Sequence, residues 1–302
     1  MYSYEDIDYL HLELSSDCNA RCPGCPRNSF GYNHANHVTN LTLNNIHTLF
    51  PAEFLQRLQG IMINGNYGDA VMNPELITIV QYIREHTDCE IMMWTNGGAG
   101  RFWSELAQYN LKLIFGIDGL EDTHSIYRQN TRYKTVLNNA KSFIQAGGQA
   151  VWQFILFDHN RHQVAQAETL SKQLGFDSFD CRPNDRGAIP VFDKQGQYLR
   201  GIDGYTGSQV LSEVVAQRNI SYDVAHSEVT PWCQQHIKAV YVSADGTVYP
   251  CCWSAVDKPT NSSIIKMVKM NNALKHGLPN AVKWFNLINP DCEKVCHENC
   301  GK

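Results

Sequence analysis

The sequence has 302 residues, 43% of them hydrophobic and 18% charged, with a formal net charge of −5. That length builds one large domain, or a domain of roughly 200 residues with a smaller appendage, and the apolar share is enough for a packed core. Scattered Lys and Arg leave no electrostatic footprint for nucleic acid or an anionic membrane, and no run approaches the ~18 apolar residues of a membrane span.

The N-terminus, Met1-Tyr2-Ser3-Tyr4-Glu5-Asp6, has neither the basic start nor the apolar run of a secretory signal, so the protein is expected in the cytoplasm. There the eleven cysteines are not expected to be disulfide staples, and clusters of them read as metal-binding or catalytic. Three fall within eight residues near the start and six after residue 230, with only Cys89 and Cys181 between, which predicts a metal site in each end of the chain. The sequon at Asn40-Leu41-Thr42 is coincidental at that address.

From residue 7 to about 185, short apolar runs alternate with longer amphipathic stretches, the pattern of βα units around a parallel sheet. Strands are predicted from Tyr9 to Leu14, Gly60 to Asn64, Glu90 to Thr95, Leu111 to Gly116, Ala150 to Phe157 and Ser178 to Arg182. Helices are predicted from Leu43 to Leu58, Pro74 to His86, Phe102 to Tyr109, Tyr133 to Ala146 and Gln163 to Leu174. The fold class is α/β, and six such strands make a partial (β/α)6 barrel more readily than a complete eightfold one; functional groups then gather on loops after the carboxyl ends of the strands. Residues 186–230 read as a bridge with one helix, Gly207 to Arg218. From 231 to 302 a small C-terminal region is expected. It holds a β-hairpin, Lys238 to Ser243 and Thr247 to Tyr249 around Ala244-Asp245-Gly246, and a final helix from Asn280 to Leu287.

The loop after the first strand reads Cys18-Asn-Ala-Arg-Cys22-Pro-Gly-Cys25. Three thiolates on a cubane leave one iron without a protein ligand, and an open position suits a reactive cofactor rather than a structural one. A zinc site missing its fourth ligand, or a redox dithiol at Cys22-Pro-Gly-Cys25, is the blander reading, but a dithiol leaves Cys18 unexplained. The spacing resembles that of the radical S-adenosylmethionine (SAM) superfamily, in which it follows the first barrel strand. The resemblance implies a 4Fe-4S cluster on Cys18, Cys22 and Cys25 whose unique iron is chelated by SAM, and reductive cleavage of SAM to a 5′-deoxyadenosyl radical that abstracts hydrogen. The family usually has an aromatic residue before the third Cys; this chain has Gly24.

Further segments resemble the family's SAM-binding motifs. Gly65-Asn66-Tyr67-Gly68-Asp69 stands where Gly-Gly-Glu is common, which makes Asn66, Gly68 and Asp69 candidates for binding the SAM ammonium group. Thr95-Asn96-Gly97 ends the third strand, and Gly116-Ile117-Asp118-Gly119 ends the fourth, with Gly116 in place of the usual Ser. Thr95, Asn96 and Asp118 are candidates for the ribose and carboxylate, each with a turn cap as the ordinary alternative. Arg128 resembles an Arg frequent in the following helix, an ordinary surface Arg being as good a reading. In the predicted register Gln153 and Arg182 project into the same cavity as further cofactor contacts, whereas a one-residue slip turns them outward. Asp158-His159-Asn160 lies where substrate would pass, although a lone His is more often a satisfied one.

Cys233, Gly246 and Cys251 are spaced as at the opening of the SPASM and twitch extensions of that superfamily, and Cys292-Glu-Lys-Val-Cys296-His-Glu-Asn-Cys300 follows. A full SPASM domain uses about seven cysteines for two clusters; with six here, the resemblance implies one auxiliary 4Fe-4S cluster. Its ligands are expected to be Cys233, Cys251 and two of Cys292, Cys296 and Cys300, with Cys296 and Cys300 favoured because four-residue spacing sets two thiolates on one helix face. A closed zinc site on the same thiolates is the rival.

The implied activity is oxidative modification of a peptide or small molecule, with an external electron donor such as flavodoxin or ferredoxin and no nucleic-acid or membrane partner. Epimerases and maturases of protein substrates belong to the same superfamily. A noncatalytic metal-stabilised binding protein is the reading from another class. With the first strand expected within about ten residues of Met1, leader-peptide recognition is expected to be built into the barrel or supplied by a partner.

Overall fold

The computed structural model describes residues 3–31, 33, 35, 37–193, 195–204, 237–252, 255 and 271–283. All six expected strands of the βα region are present: β1 (Tyr9–Leu12), β2 (Gly60–Ile63), β3 (Glu90–Thr95), β4 (Lys112–Gly116), β5 (Gln149–Leu156) and β6 (Ser178–Pro183). The expected C-terminal hairpin forms as β9 (Ala239–Val242) and β10 (Val248–Tyr249). The mostly parallel sheet runs in the order β10-β9-β1-β2-β3-β4-β5-β6.

Two compact units divide the chain, Met1–Asp17 with Val38–Met92 and Asp223–Lys302, and Cys18–His37 with Met93–Tyr222. In the first, β1 pairs in parallel with β2 on one side and with β9 on the other, Leu10 facing both Ile61 and Val240 in register. A strand hydrogen-bonded on both edges and covered on both faces is largely apolar, and Leu10, Leu12, Ile61, Ile63, Val240 and Val242 are all buried, with His11 the polar exception in β1. Helix α3 (Leu76–His86) buries Leu76, Ile79, Val80 and Ile83, the spacing of one helical face. The hairpin turn works as its sequence suggests: Gly246 takes a φ of +78° and its amide donates to the Ser243 carbonyl at 2.8 Å.

In the second unit β5 pairs in parallel with β4 and β6, with Gly116 opposite Gln153 and Gln153 opposite Asp180. Trp152 and Phe154 fill its core, and the Trp152 indole donates to the Ile117 carbonyl at 2.9 Å.

Several expectations are corrected. The single helix expected from Leu43 to Leu58 is two, α1 (Leu43–Leu49) and α2 (Ala52–Gln56), because Pro51 supplies no amide to continue a helix and instead caps the second one. The helix expected from Phe102 to Tyr109 is α-helical only over α4 (Trp103–Leu106) and tightens to a 3-10 turn over Ala107–Tyr109. A short helix, α5 (His124–Tyr127), was not expected; α6 (Tyr133–Gln145) and α7 (Val164–Gln173) were. The stretch read as an irregular bridge begins with an antiparallel pair, β7 (Ile189–Phe192) and β8 (Tyr198–Ile202). Its turn is organised by Asp193, whose Oδ1 accepts from the Gln195 and Gln197 amides at 2.8 Å each. The helix expected from Gly207 to Arg218 lies outside the described residues. Two short helices, Ala273–His276 and Leu278–Lys283, are described near the position of the final one.

Buried histidines make the fold acid-sensitive. The His11 ring bonds the Asn64 carbonyl at 2.7 Å through Nε2 and meets Tyr241 edge-on. Burial pushes its pKa down to about 4, and burial with a contribution from Arg128 takes His124 to about 3. Both folded values lie below that of a free imidazole, so the unfolded chain takes up protons first. The stabilisation is whole above about pH 6.5 and is lost as pH falls towards the folded values, depressions of this size being worth on the order of 3 to 5 kcal/mol each. The thermal midpoint of chelator-treated protein is expected to fall steadily between pH 7 and 5, and His11→Gln to flatten that slope. Equal slopes for the two proteins would contradict the assignment.

Candidate functional site

The cysteine loop belongs to the second unit and is held by its own backbone: the Cys25 amide donates to the Cys22 carbonyl at 3.1 Å and the Asn28 amide to that of Cys25 at 2.9 Å. Cys22 is buried among Ala20, Tyr127, Phe157 and the β7–β8 residues Ile189, Val191 and Ile202, with Cys18 and Cys25 packed against the same cluster. Burial pushes the Cys22 thiol up to about 11, the Arg128 guanidinium offsetting only part of it, and burial raises Cys25 as well.

N–H donors reach the sulfurs, the Arg27 backbone among them at Cys25. The Asn96 amide lies 3.6 Å from Cys18 Sγ and 3.0 Å from Asn19 Oδ1, while Asn96 Oδ1 accepts from the Gly98 amide at 2.8 Å. Arg128 Nη1 lies 3.9 Å from Cys22 Sγ. Its Nε pairs with Asp118 Oδ2 at 2.6 Å, and the other carboxylate oxygen accepts from the Ile155 amide at 2.6 Å. Asp118 is wholly buried, so the ion pair is a fixed part of the interior and not the surface Arg that sequence equally allowed. Soft sulfur ligands flanked by N–H donors are a donor set that fits an iron–sulfur cluster. Among the described residues, no three His, Cys, Asp or Glu side chains gather round one metal-ion position; a cubane distributes its thiolates over separate irons.

Gly24 owes its identity to this packing. A Cβ there would stand 2.8 Å from Ile189 Cδ1 and 3.0 Å from the Tyr127 hydroxyl, and Arg186 donates to the Gly24 carbonyl. The room that an aromatic residue would need before the third Cys is already filled by Tyr127 and β7.

Thr95 and Asn96 are buried at the end of β3, where Thr95 Oγ1 accepts from the Gly97 amide at 3.0 Å. Gln153 and Arg182 share a partner that sequence reasoning passed over: Asp180 Oδ2 is 3.3 Å from Gln153 Nε2 and 2.6 Å from Arg182 Nε. His159 stacks on Phe157 with an interplanar angle of 9°.

In the first unit the loop Gly65–Asp69 wraps a buried carboxylate, Glu13, which was also missed. Glu13 Oε1 accepts from the Tyr67 amide at 2.7 Å and the Gly68 amide at 3.1 Å, and Oε2 accepts from the Tyr241 hydroxyl at 2.9 Å. Burial raises the Glu13 pKa against the pull of those donors. Asn66 donates to the Cys252 carbonyl at 2.7 Å, and Asp69 caps the turn Ala70–Met72 by accepting from the Val71 amide at 3.2 Å. A charged residue closing the apolar run Tyr9–Leu12, with a Gly-rich loop a βα unit later, was the available signal for Glu13. Cys251 is half-buried just after β10, while Cys233, Cys292, Cys296 and Cys300 lie outside the described residues.

No family model matches the sequence, and no curated protein matches it. Among solved structures it is similar to Streptococcus suis SuiB bound to S-adenosylmethionine, with a TM-score of 0.63 at 13% identity, covering 98% of this chain and 71% of that one. SuiB bound to the precursor peptide SuiA gives 0.62 at 11% identity, covering 92% of this chain and 64% of that one. Native anSMEcpe with bound AdoMet and Cp18Cys peptide gives 0.53 at 15% identity, covering 80% and 73%. These proteins are radical SAM enzymes, and it is their fold that this chain adopts.

Proposed function

We propose that the chain is a radical SAM enzyme that modifies a peptide or a small molecule. The observation that carries the reading is three cysteines on the loop after β1 of such a fold, with amide and guanidinium donors aimed at two of their sulfurs. Peptides bound to SuiB and anSMEcpe favour a peptide substrate. When bound, a 4Fe-4S cluster on Cys18, Cys22 and Cys25 supplies the electron that cleaves SAM to a 5′-deoxyadenosyl radical, which takes hydrogen from the substrate. The chain's own part is to hold and orient. Burial keeps the Cys22 sulfur away from water, with Cys25 half-buried beside it, and Asn96 and Arg128 hold N–H groups against sulfur. In the second unit, Thr95, Asn96, Gln153 and Arg182 are assigned to the SAM nucleoside and methionyl groups. Residues 1–185 form the barrel portion and 186–230 the bridge. The region 231–302 carries one auxiliary cluster, with Cys233, Cys251, Cys296 and Cys300 as its preferred ligands and Cys292 as the alternate. A net two-electron oxidation of the substrate is the expected outcome.

Anaerobic reconstitution tests this. The expected result is uptake of iron and sulfide and release of 5′-deoxyadenosine from SAM once a low-potential reductant is added. Uptake of zinc alone, with no deoxyadenosine, sinks the enzyme reading in favour of a metal-stabilised binding protein.

A further inference from the structure

The second unit departs twice from the pattern its motifs resemble, at Gly24 and at Gly116, and both departures lead to neighbouring residues, Tyr127 and Arg128. A Cβ on Gly116 would overlap Arg128 Nη2 and stand 2.8 Å from Cζ. The missing side chain at the end of β4 is therefore the slot in which the guanidinium lies. Asp118, two residues on, grips Nε at 2.6 Å, and this turns Nη1 towards Cys22 Sγ at 3.9 Å. The arrangement is largely enclosed, with the Arg128 side chain 16% exposed and that of Asp118 0%. A guanidinium held at one edge by a carboxylate keeps its remaining N–H groups directed, which an ammonium on a flexible stem does not.

We infer that Arg128 is a positioning residue that sets the reduction potential of the cluster through an N–H···S bond to Cys22. The inference rests on the cluster assignment proposed above. On reduction the cluster takes one electron from the external donor, no bond in the protein forms or breaks, and the added negative charge spreads onto the ligand sulfurs. A fixed cationic donor at one sulfur favours the reduced form, and hydrogen bonds to sulfur are among the levers that set such potentials. Gly116 and Asp118 act through Arg128, one by making room and the other by aiming it.

Mediated redox titration of the reconstituted protein, followed by electron paramagnetic resonance of the reduced cluster, tests this without reference to turnover. Three variants are compared with the wild type. Arg128→Lys keeps the charge but cannot reach carboxylate and sulfur as a fork. Gly116→Ser retains Arg128 and pushes it from its slot. Asp118→Asn with Arg128→Met removes both buried charges together, so that neither is stranded. Each is expected to bind the cluster and to shift the one-electron equilibrium at least tenfold against reduction, a midpoint about 59 mV more negative. Unchanged midpoints in Arg128→Lys and Gly116→Ser overturn the inference. So does failure of all three variants to hold a cluster that the wild type holds, because Arg128 is then a requirement of the loop and not its tuner. A wild-type protein that takes up no cluster is a different result, and defeats the functional reading itself.

Discussion

Gly68→Ala is expected to destabilise the protein by roughly 3 kcal/mol or more, a fall in thermal midpoint of roughly 10 °C. A Cβ at this position would overlap the Ser15 carbonyl oxygen and stand 2.8 Å from that of Asp17, both of them backbone atoms with no rotamer to yield. Relief requires the loop to lift, and lifting it pulls the Tyr67 and Gly68 amides from Glu13, a carboxylate only 2% exposed. A buried acceptor that loses its donors costs more than the bonds themselves contributed. Glu13→Gln, which keeps an acceptor for both amides and sheds a buried charge, should cost far less than Glu13→Ala. Circular-dichroism melts of the three variants check the set. A Gly68→Ala protein melting within a degree of the wild type would show that the close approach at Ser15 is absent.

Replacing Cys18, Cys22 and Cys25 together by Ala is expected to abolish SAM cleavage and to remove one cluster's worth of iron, leaving that bound through the C-terminal cysteines. The protein should still fold, since only Cys22 of the three is fully buried and trimming one small thiol from a packed cluster leaves a small cavity. Iron analysis, deoxyadenosine release and a melt on the same preparation separate the possibilities. Loss of all iron, or cleavage that survives, contradicts the division of cysteines between two sites.

Much of this architecture is legible in the chain because its signals are local. Apolar runs such as Gly60–Ile63 and Lys112–Gly116 announce buried parallel strands, and Ala244-Asp245-Gly246 announces its turn. The three cysteines stand out because their spacing is short-range. What escaped notice depends on distant partners. Arg128 and Asp118 are ten residues apart in the chain, and nothing in either one's neighbourhood says that they meet in the interior beside Cys22. The unusual Gly116 was visible as a departure, but its meaning needed the guanidinium that fills the space. Glu13 looks like the polar end of a strand until the loop fifty residues later and a tyrosine more than two hundred residues later close over it. The β7–β8 pair was hidden by Pro190 and by a Gly- and Gln-rich turn, although Ile189 and Val191 alternate as a half-buried strand should.

The parallel pairing of β1 with β9 has a consequence for how the molecule is made. Tyr9 waits for Ala239 and Asp8 for the amide of Lys238, so a nascent chain carries one side of β1 uncovered until β9 has been made. Contacts of such long sequence separation form late, and an open strand edge invites pairing with other molecules in the meantime. Polypeptides interrupted before β9 should therefore accumulate as aggregates or chaperone clients, and a library of C-terminal deletions would show solubility appearing abruptly once that strand is included.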